Sequence, residues 1–236
     1  MMMKSIIAVA AIAAVSVAAP AAAVTTIAYN FAGGANANLA SLAITNSGIT
    51  VTATGQTFAT APGLLTNISD LTTVNLRRTA PGIGVTGGSA AGQIDTNTAA
   101  REGMLITVSQ FVSLSALTLN SIDNNDTLSV YGVGSGGALQ LIGYGGTIKA
   151  GLAGAANFTN IAVNGGTTVL TFLSQSSSYK QFFFTTRTDG SATPAQSYRI
   201  ENLTVAVPEP QTWALMIVGF GLVGVAARRK QAVVAA

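Results

Sequence analysis

The chain has 236 residues, 49% of them hydrophobic and only 8% charged, with no Cys and no His. Its formal charge of +3 is terminal: between Val24 and Val207, Arg77, Arg78, Arg101, Lys149, Lys180, Arg187 and Arg199 balance Asp70, Asp95, Glu102, Asp123, Asp126, Asp189 and Glu201, and the excess is Lys4, Arg228, Arg229 and Lys230 less Glu209. This excludes the basic face that nucleic acid requires, and the missing His and Cys exclude Ser-His-Asp or Cys-His nucleophiles, imidazole bases and zinc sites built on imidazole or thiolate.

The N-terminus reads as a secretory signal over residues 1–23. Lys4 lies in a short positive region, Ile6 to Ala19 is apolar, and the small residues Ala21, Ala22 and Ala23 place cleavage after Ala23. The apolar run has the length of a signal helix and is short for a membrane span. An exported chain without Cys has no disulfide framework and is stabilised by its core. The roughly 184 residues from Val24 to Val207 are enough for one domain.

Within that domain, short alternating runs are separated by Gly, Asn, Ser and Asp: Gly48–Thr54, Met104–Val108, Leu114–Leu119, Thr127–Tyr131, Leu139–Ile142, Val169–Phe172, Phe182–Thr186 and Ser197–Val205. Period-two, β-branched and turn-bounded, they predict an all-β sandwich. The Gly-, Thr- and Asn-rich stretch Ala80–Ala100 reads as a long loop dividing a less regular N-terminal part from a denser C-terminal one.

Candidate chemistry in the domain is sparse. The carboxylate pair of a glycosidase requires two acids within ~5 to 10 Å, and the seven acids are scattered singly along the chain. Two GxGxxG matches, Gly82 to Gly87 and Gly132 to Gly137, lack the strand-to-helix setting of a dinucleotide site and read as loop glycines. Asp123-Asn124-Asn125-Asp126 reads as a hairpin turn. Asp123 and Asp126 are weak candidates for Ca²⁺, because Leu128 stands where an EF-hand needs Gly and no Glu follows at the twelfth position. The expectation is no metal and no cofactor. Tyr29, Tyr131, Tyr144, Tyr179, Tyr198 and the Phe182-Phe183-Phe184 run suit core packing better than sugar stacking, and Thr50, Thr52 and Thr54 suit an exposed strand face better than an ice-binding array.

After the domain, Pro208 and Pro210 hold Val207 to Pro210 extended. From Thr212 to Ala227 no residue is charged, and a helix over this stretch would span ~24 Å against a ~30 Å hydrocarbon core. Trp213 suits one interface and Arg228-Arg229-Lys230 the cytoplasmic one, giving a transmembrane helix at 212–227 with the N-terminus out and a cytoplasmic tail at 231–236. Snorkelling of Arg228 and local thinning of the bilayer make up the length.

These residues carry a resemblance. Pro208-Glu209-Pro210, two residues, Trp213-Ala214, an apolar run with Gly219, Phe220, Gly221 and Gly224, then the basic stop at 228–230, is similar to the PEP-CTERM sorting signal in its PEPxxWA variant. The resemblance covers about 24 residues. It implies processing near the PEP motif by an exosortase, a membrane-embedded cysteine transpeptidase of Gram-negative bacteria, with Glu209 as a recognition element and not a catalyst. It also implies passage through the inner membrane toward the cell surface or an exopolysaccharide or biofilm matrix. A closing strand such as Tyr198–Val205 leading into the signal resembles other exported ectodomains of this kind, which implies a jelly-roll-like sandwich. The expected protein is non-enzymatic and structural or adhesive. A carbohydrate-binding module is the alternative, and an ice-binding protein or a carboxylate-dependent hydrolase is less favoured.

Overall fold

The computed structural model describes residues 24–59, 65–87, 92–95, 101–122, 126–145, 158–164, 166–173, 177–186, 197–208 and 217–222. Alternation begins at once: Ile27 and Tyr29 are buried and their neighbours exposed along β1 (Val24–Asn30), which is followed by β2 (Ala37–Leu39). Next come β3 (Leu42–Asn46) and β4 (Ile49–Phe58), joined through Ser47 (φ +50°) and Gly48 (φ +77°). Two positive φ angles are what a two-residue hairpin of primed type demands, and only glycine adopts them freely.

The chain continues through β5 (Thr72–Val74), β6 (Leu76–Thr79), β7 (Gly82–Val85) and β8 (Ile94–Asp95). Both β7 and β8 fall inside the stretch 80–100 that reads as a loop. The glycines conceal β7 because other backbones cross it. A Cβ on Gly82 would lie 2.5 Å from the Ile200 carbonyl oxygen, and one on Gly84 would lie 2.2 Å from that of Gly92. Here glycine marks close approach within a strand and not a turn. No division follows, since Val24–Pro208 is one compact unit.

The runs at Met104 and Leu114 are one 20-residue strand, β9 (Arg101–Asn120). Its inward residues Met104, Ile106, Val108, Val112 and Leu114 alternate, slip at Ser115 and Ala116, and resume at Leu117 and Leu119. The slip is a bulge, seen also as a register shift against the last strand. Then follow β10 (Leu128–Val133), β11 (Leu139–Gly145), β12 (Phe158–Asn164), β13 (Thr167–Phe172), β14 (Tyr179–Thr185) and β15 (Ser197–Pro208).

All the pairings are antiparallel, and β9 is their axis. Its first half pairs with β4 and β14, its second with β15 and β13. From the first half the sheet extends through β14 to β10 and β11, and through β4 to β3 and β5. From the second it extends through β13 to β12, and through β15 to β1, β7 and β8 and on to β6 and β2. One hydrophobic core draws on both parts, with Val51, Ile106 and Phe184 from the first and Tyr29, Leu117 and Leu203 from the second. The Tyr29 hydroxyl donates to the Ile49 carbonyl and the Asn46 amide to the Ala28 carbonyl, so β1 and the β3–β4 hairpin are also joined directly.

The Phe182-Phe183-Phe184 run shows how far apolar burial extends. Alternate faces of β14 send Phe182 and Phe184 into the main core, while Phe183 turns outward and is still fully buried among Phe58, Leu65 and Tyr131. The Phe58 and Phe183 rings meet edge to face with centroids 5.9 Å apart. Gly103 makes room for Phe183, since a Cβ there would lie 2.2 Å from the ring. Phe183→Ala is expected to lower unfolding free energy by about 3–5 kcal/mol in a urea titration. Phe111→Ala, at a side chain 61% exposed, should stay within about 0.5 kcal/mol of the parent.

Candidate functional site

Strand β15 leaves the sheet at Pro208. Its last pairings join Ala206, Val207 and Pro208 to Thr26, Thr25 and Val24. The extended backbone expected at Val207 and Pro208 is thus a sheet strand, and the first residue after the expected signal cleavage lies across from the first residue of the PEP tripeptide. Pairing on one edge suits Pro208, which has no N–H to donate.

Of the other sorting residues, Gly219, Phe220 and Gly221 lie in the helical segment 217–222. In that segment Ile217, Val218, Phe220 and Leu222 are exposed. Glu209, Pro210, Trp213, Ala214, Gly224, Arg228, Arg229 and Lys230 lie outside the described residues, as do Ala21, Ala23 and the whole signal segment. Among the described residues no helix is long and apolar enough to cross a membrane.

Two of the scattered acids are each tied to Ser197, at the other end of β15. Asp126 is buried and its Oδ1 accepts the Ser197 amide at 2.6 Å, while Asp95, equally buried, pairs across from Ser197. The link after β9 is not a hairpin turn, because β14 lies between β9 and β10. Asp126 therefore anchors a distant strand start, and Asp123 lies outside the described residues. Among the described residues no three His, Cys, Asp or Glu side chains gather as a metal would need. Glu102 is buried near Thr57 and Gly87, Asp70 is exposed, and Glu201 accepts the Asn120 amide at 3.0 Å. Asp95 and Asp126, 1% and 0% exposed, present no open cleft to a substrate.

The aromatic residues likewise turn inward. Tyr29, Tyr131, Tyr179, Tyr198 and all three consecutive Phe residues are buried. Phe111 is exposed at the middle of β9 with the Lys180 ammonium 5.2 Å from its ring centroid. No aromatic platform for sugar stacking is formed by these rings. The two GxGxxG matches also lie in strands for part of their length. Gly82 and Gly84 belong to β7, and Gly132 belongs to β10, where a Cβ would meet the Tyr179 ring at 2.5 Å.

The pairing of β1 with the sorting strand was missed in the sequence. Thr26-Ile27-Ala28-Tyr29 carries the alternation that marks a strand, but its closeness to the signal's end hides it.

The Tyr198 hydroxyl is fully buried without a hydrogen-bond partner, and its pKa is raised well above 10.0, first by burial and then by the Asp126 carboxylate. A raised pKa means that folding favours the neutral phenol. This stability is fully present below the unfolded value of about 10 and is lost as pH climbs above it. Tyr198→Phe is expected to leave unfolding free energy unchanged or slightly higher at pH 7 and to reduce its alkaline decline, measured by urea titration between about pH 8 and 11.

Comparison with known families places one part of the chain. Residues 206–230 match the family described as the PEP-CTERM protein-sorting motif, a match that begins within β15. A chain carrying this motif is exported and sorted by an exosortase. No curated protein and no solved structure matches the chain.

Proposed function

We propose that the protein is a non-enzymatic structural or adhesive component of the cell surface or extracellular matrix, released there when an exosortase cuts near Pro208-Glu209-Pro210. In this reading the two parts of the sheet that share β9 stack as the layers of a jelly-roll-like sandwich. The apolar stretch 212–227 holds the precursor in the inner membrane until the cut.

The observation that carries the reading is the seam between domain and motif. The family match starts at residue 206, so its first three residues are already sheet strand, hydrogen-bonded to β1. Among the described residues the β15 ladder ends at Pro208, and a cut beyond it leaves that ladder intact. The released domain keeps its fold.

The domain's chemistry supports a role without catalysis. It has neither His nor Cys, and Asp95, Glu102 and Asp126 are buried. The outward faces of β4 and β9 carry half-buried Thr50 and Thr52 and exposed Thr107 and Ser109, an uncharged polar surface suited to a hydrated polymer. The buried aromatics count against the stacking form of a carbohydrate-binding module.

Replacing Pro208-Glu209-Pro210 by three alanines is expected to leave a full-length precursor in the membrane fraction of the native host. Intact mass of the membrane and matrix fractions reads the outcome. A matrix form of the variant trimmed like the parent would refute the reading.

A further inference from the structure

We propose that two polar rows on the outward face of β3, β4, β9 and β14 are the contact surface for an uncharged polysaccharide. Thr45, Thr50, Thr52, Thr107, Ser109 and Gln181 supply its hydrogen bonds, and Phe111 borders it. That the polymer belongs to the matrix rests on the reading above; the surface itself rests on register, exposure and charge.

Register and hydrogen bonds build both rows. In the first, Thr45 on β3 faces Thr50 on β4 with the hydroxyls 2.8 Å apart, and the Thr50 amide donates to the Ser109 hydroxyl on β9 at 3.1 Å. In the second, Ala43 pairs with Thr52, Thr52 with Thr107, and Thr107 with Gln181 on β14. The Gln181 side-chain amide donates to the Thr107 hydroxyl at 3.2 Å. Val51, Ile106, Val108 and Phe182, their neighbours along the strands, lie in the core, so alternation turns both rows to the opposite face. There Ala43, Thr45, Thr107 and Ser109 are exposed, and Thr50, Thr52 and Gln181 are half-buried.

One outward step further along β9 and β14 the same face changes character. Leu105 pairs with Phe183, and Phe183 is buried with Phe58, Leu65 and Tyr131 while Leu71 and Leu105 pack against them. The fold thus covers the apolar half of this face and leaves the hydroxyl half open to solvent. In the other direction Phe111 continues the outward column of Thr107 and Ser109, 61% exposed, with the Lys180 ammonium 5.2 Å from its ring centroid. A single ring makes no stacking platform, yet an apolar side chain left in water at the border of a polar face gains from being covered.

The chemistry of the rows selects the partner. None of their side chains is ionisable. An ionised group at a contact must lose water at a cost that a neutral partner does not repay, and these rows avoid that cost, whereas a polyanion finds no counter-charge in them. Each hydroxyl has one donor and two acceptor lone pairs, so those already bonded to one another keep capacity for a partner. Their mutual bonds and the stiff χ1 of Thr fix the groups before binding, which lowers the entropy lost on contact. Neighbouring strands stand about 4.8 Å apart and outward residues recur about every 6.6 Å, so the rows form a lattice of neutral donors and acceptors for sugar hydroxyls.

The test uses the full chain purified in detergent, with hydroxyethylcellulose, dextran and dextran sulfate immobilised for biolayer interferometry at low and high salt. Binding to hydroxyethylcellulose, dextran or both is expected, and it should not weaken as salt rises, because no ion pair is involved. The two neutral arms distinguish a β-linked from an α-linked glucan. Replacing both Thr52→Val and Thr107→Val removes two hydroxyls at nearly constant volume and should weaken binding about tenfold or more, as loss of two hydrogen bonds predicts. Phe111→Ala, expected to keep the fold, should also weaken it. Thr204→Val makes the same hydroxyl deletion on half-buried β15 and should bind like the parent, with melting curves confirming the fold of each variant. No binding to either neutral glucan, binding confined to dextran sulfate or lost at high salt, or parent-like binding by the double variant or by Phe111→Ala would overturn the surface. A dimer that the double variant dissociates would assign the face to a second copy and overturn it as well. None of these outcomes bears on exosortase processing, which is read by mass.

Discussion

Strand β9 divides its backbone hydrogen bonds among four strands, and the rest of the domain hangs on that division. Its first half is held between β4 and β14 and its second between β15 and β13. A strand of 20 residues that joins two parts of a sheet must bend and twist between them, and the bulge at Ser115–Ala116 accommodates part of this change. Because the same strand supplies inward residues on both sides of the bulge, Met104 and Ile106 share one core with Leu117 and Leu119. Loss of pairing at either half would open that core, which a chain without disulfides cannot replace by another constraint.

The second constraint is the scarcity of charge. With so few ionised groups, the surface is wetted by Thr, Asn, Ser and Gln, whose hydroxyls and amides bond one another across strands, as Thr45 does with Thr50 and Gln181 with Thr107. The charges that remain take on specific work. Asp126 fixes the start of β15 through the Ser197 amide. Arg78 reaches the carbonyls of Phe31 and Ala32, tying the chain after β1 to β6.

Sorting and folding meet at the β1–β15 ladder. The first residues matched by the sorting family and the residues that follow the expected signal are neighbours in one antiparallel pair. The ladder therefore sets residues 206–208 of the match beside residues 24–26. That proximity is a property of register, which neither motif contains.

The sequence by itself determined the strand-rich character, through period-two alternation, and the sorting segment, through a linear pattern whose meaning does not depend on neighbours in space. It also determined that imidazole and thiolate chemistry is absent, a matter of composition alone. Only the tertiary structure decided that two alternating runs form the single strand β9, because exposed Phe111 and the polar residues around it interrupt the apolar pattern. The same holds for Gly82 and Gly84, whose glycines suit a strand crossed by other backbones, and for the second apolar cluster around Phe183. Asp95 and Asp126 are far apart along the chain and both reach Ser197 in the folded sheet, Asp95 by antiparallel register and Asp126 by a side-chain bond, long-range contacts that local alternation does not encode.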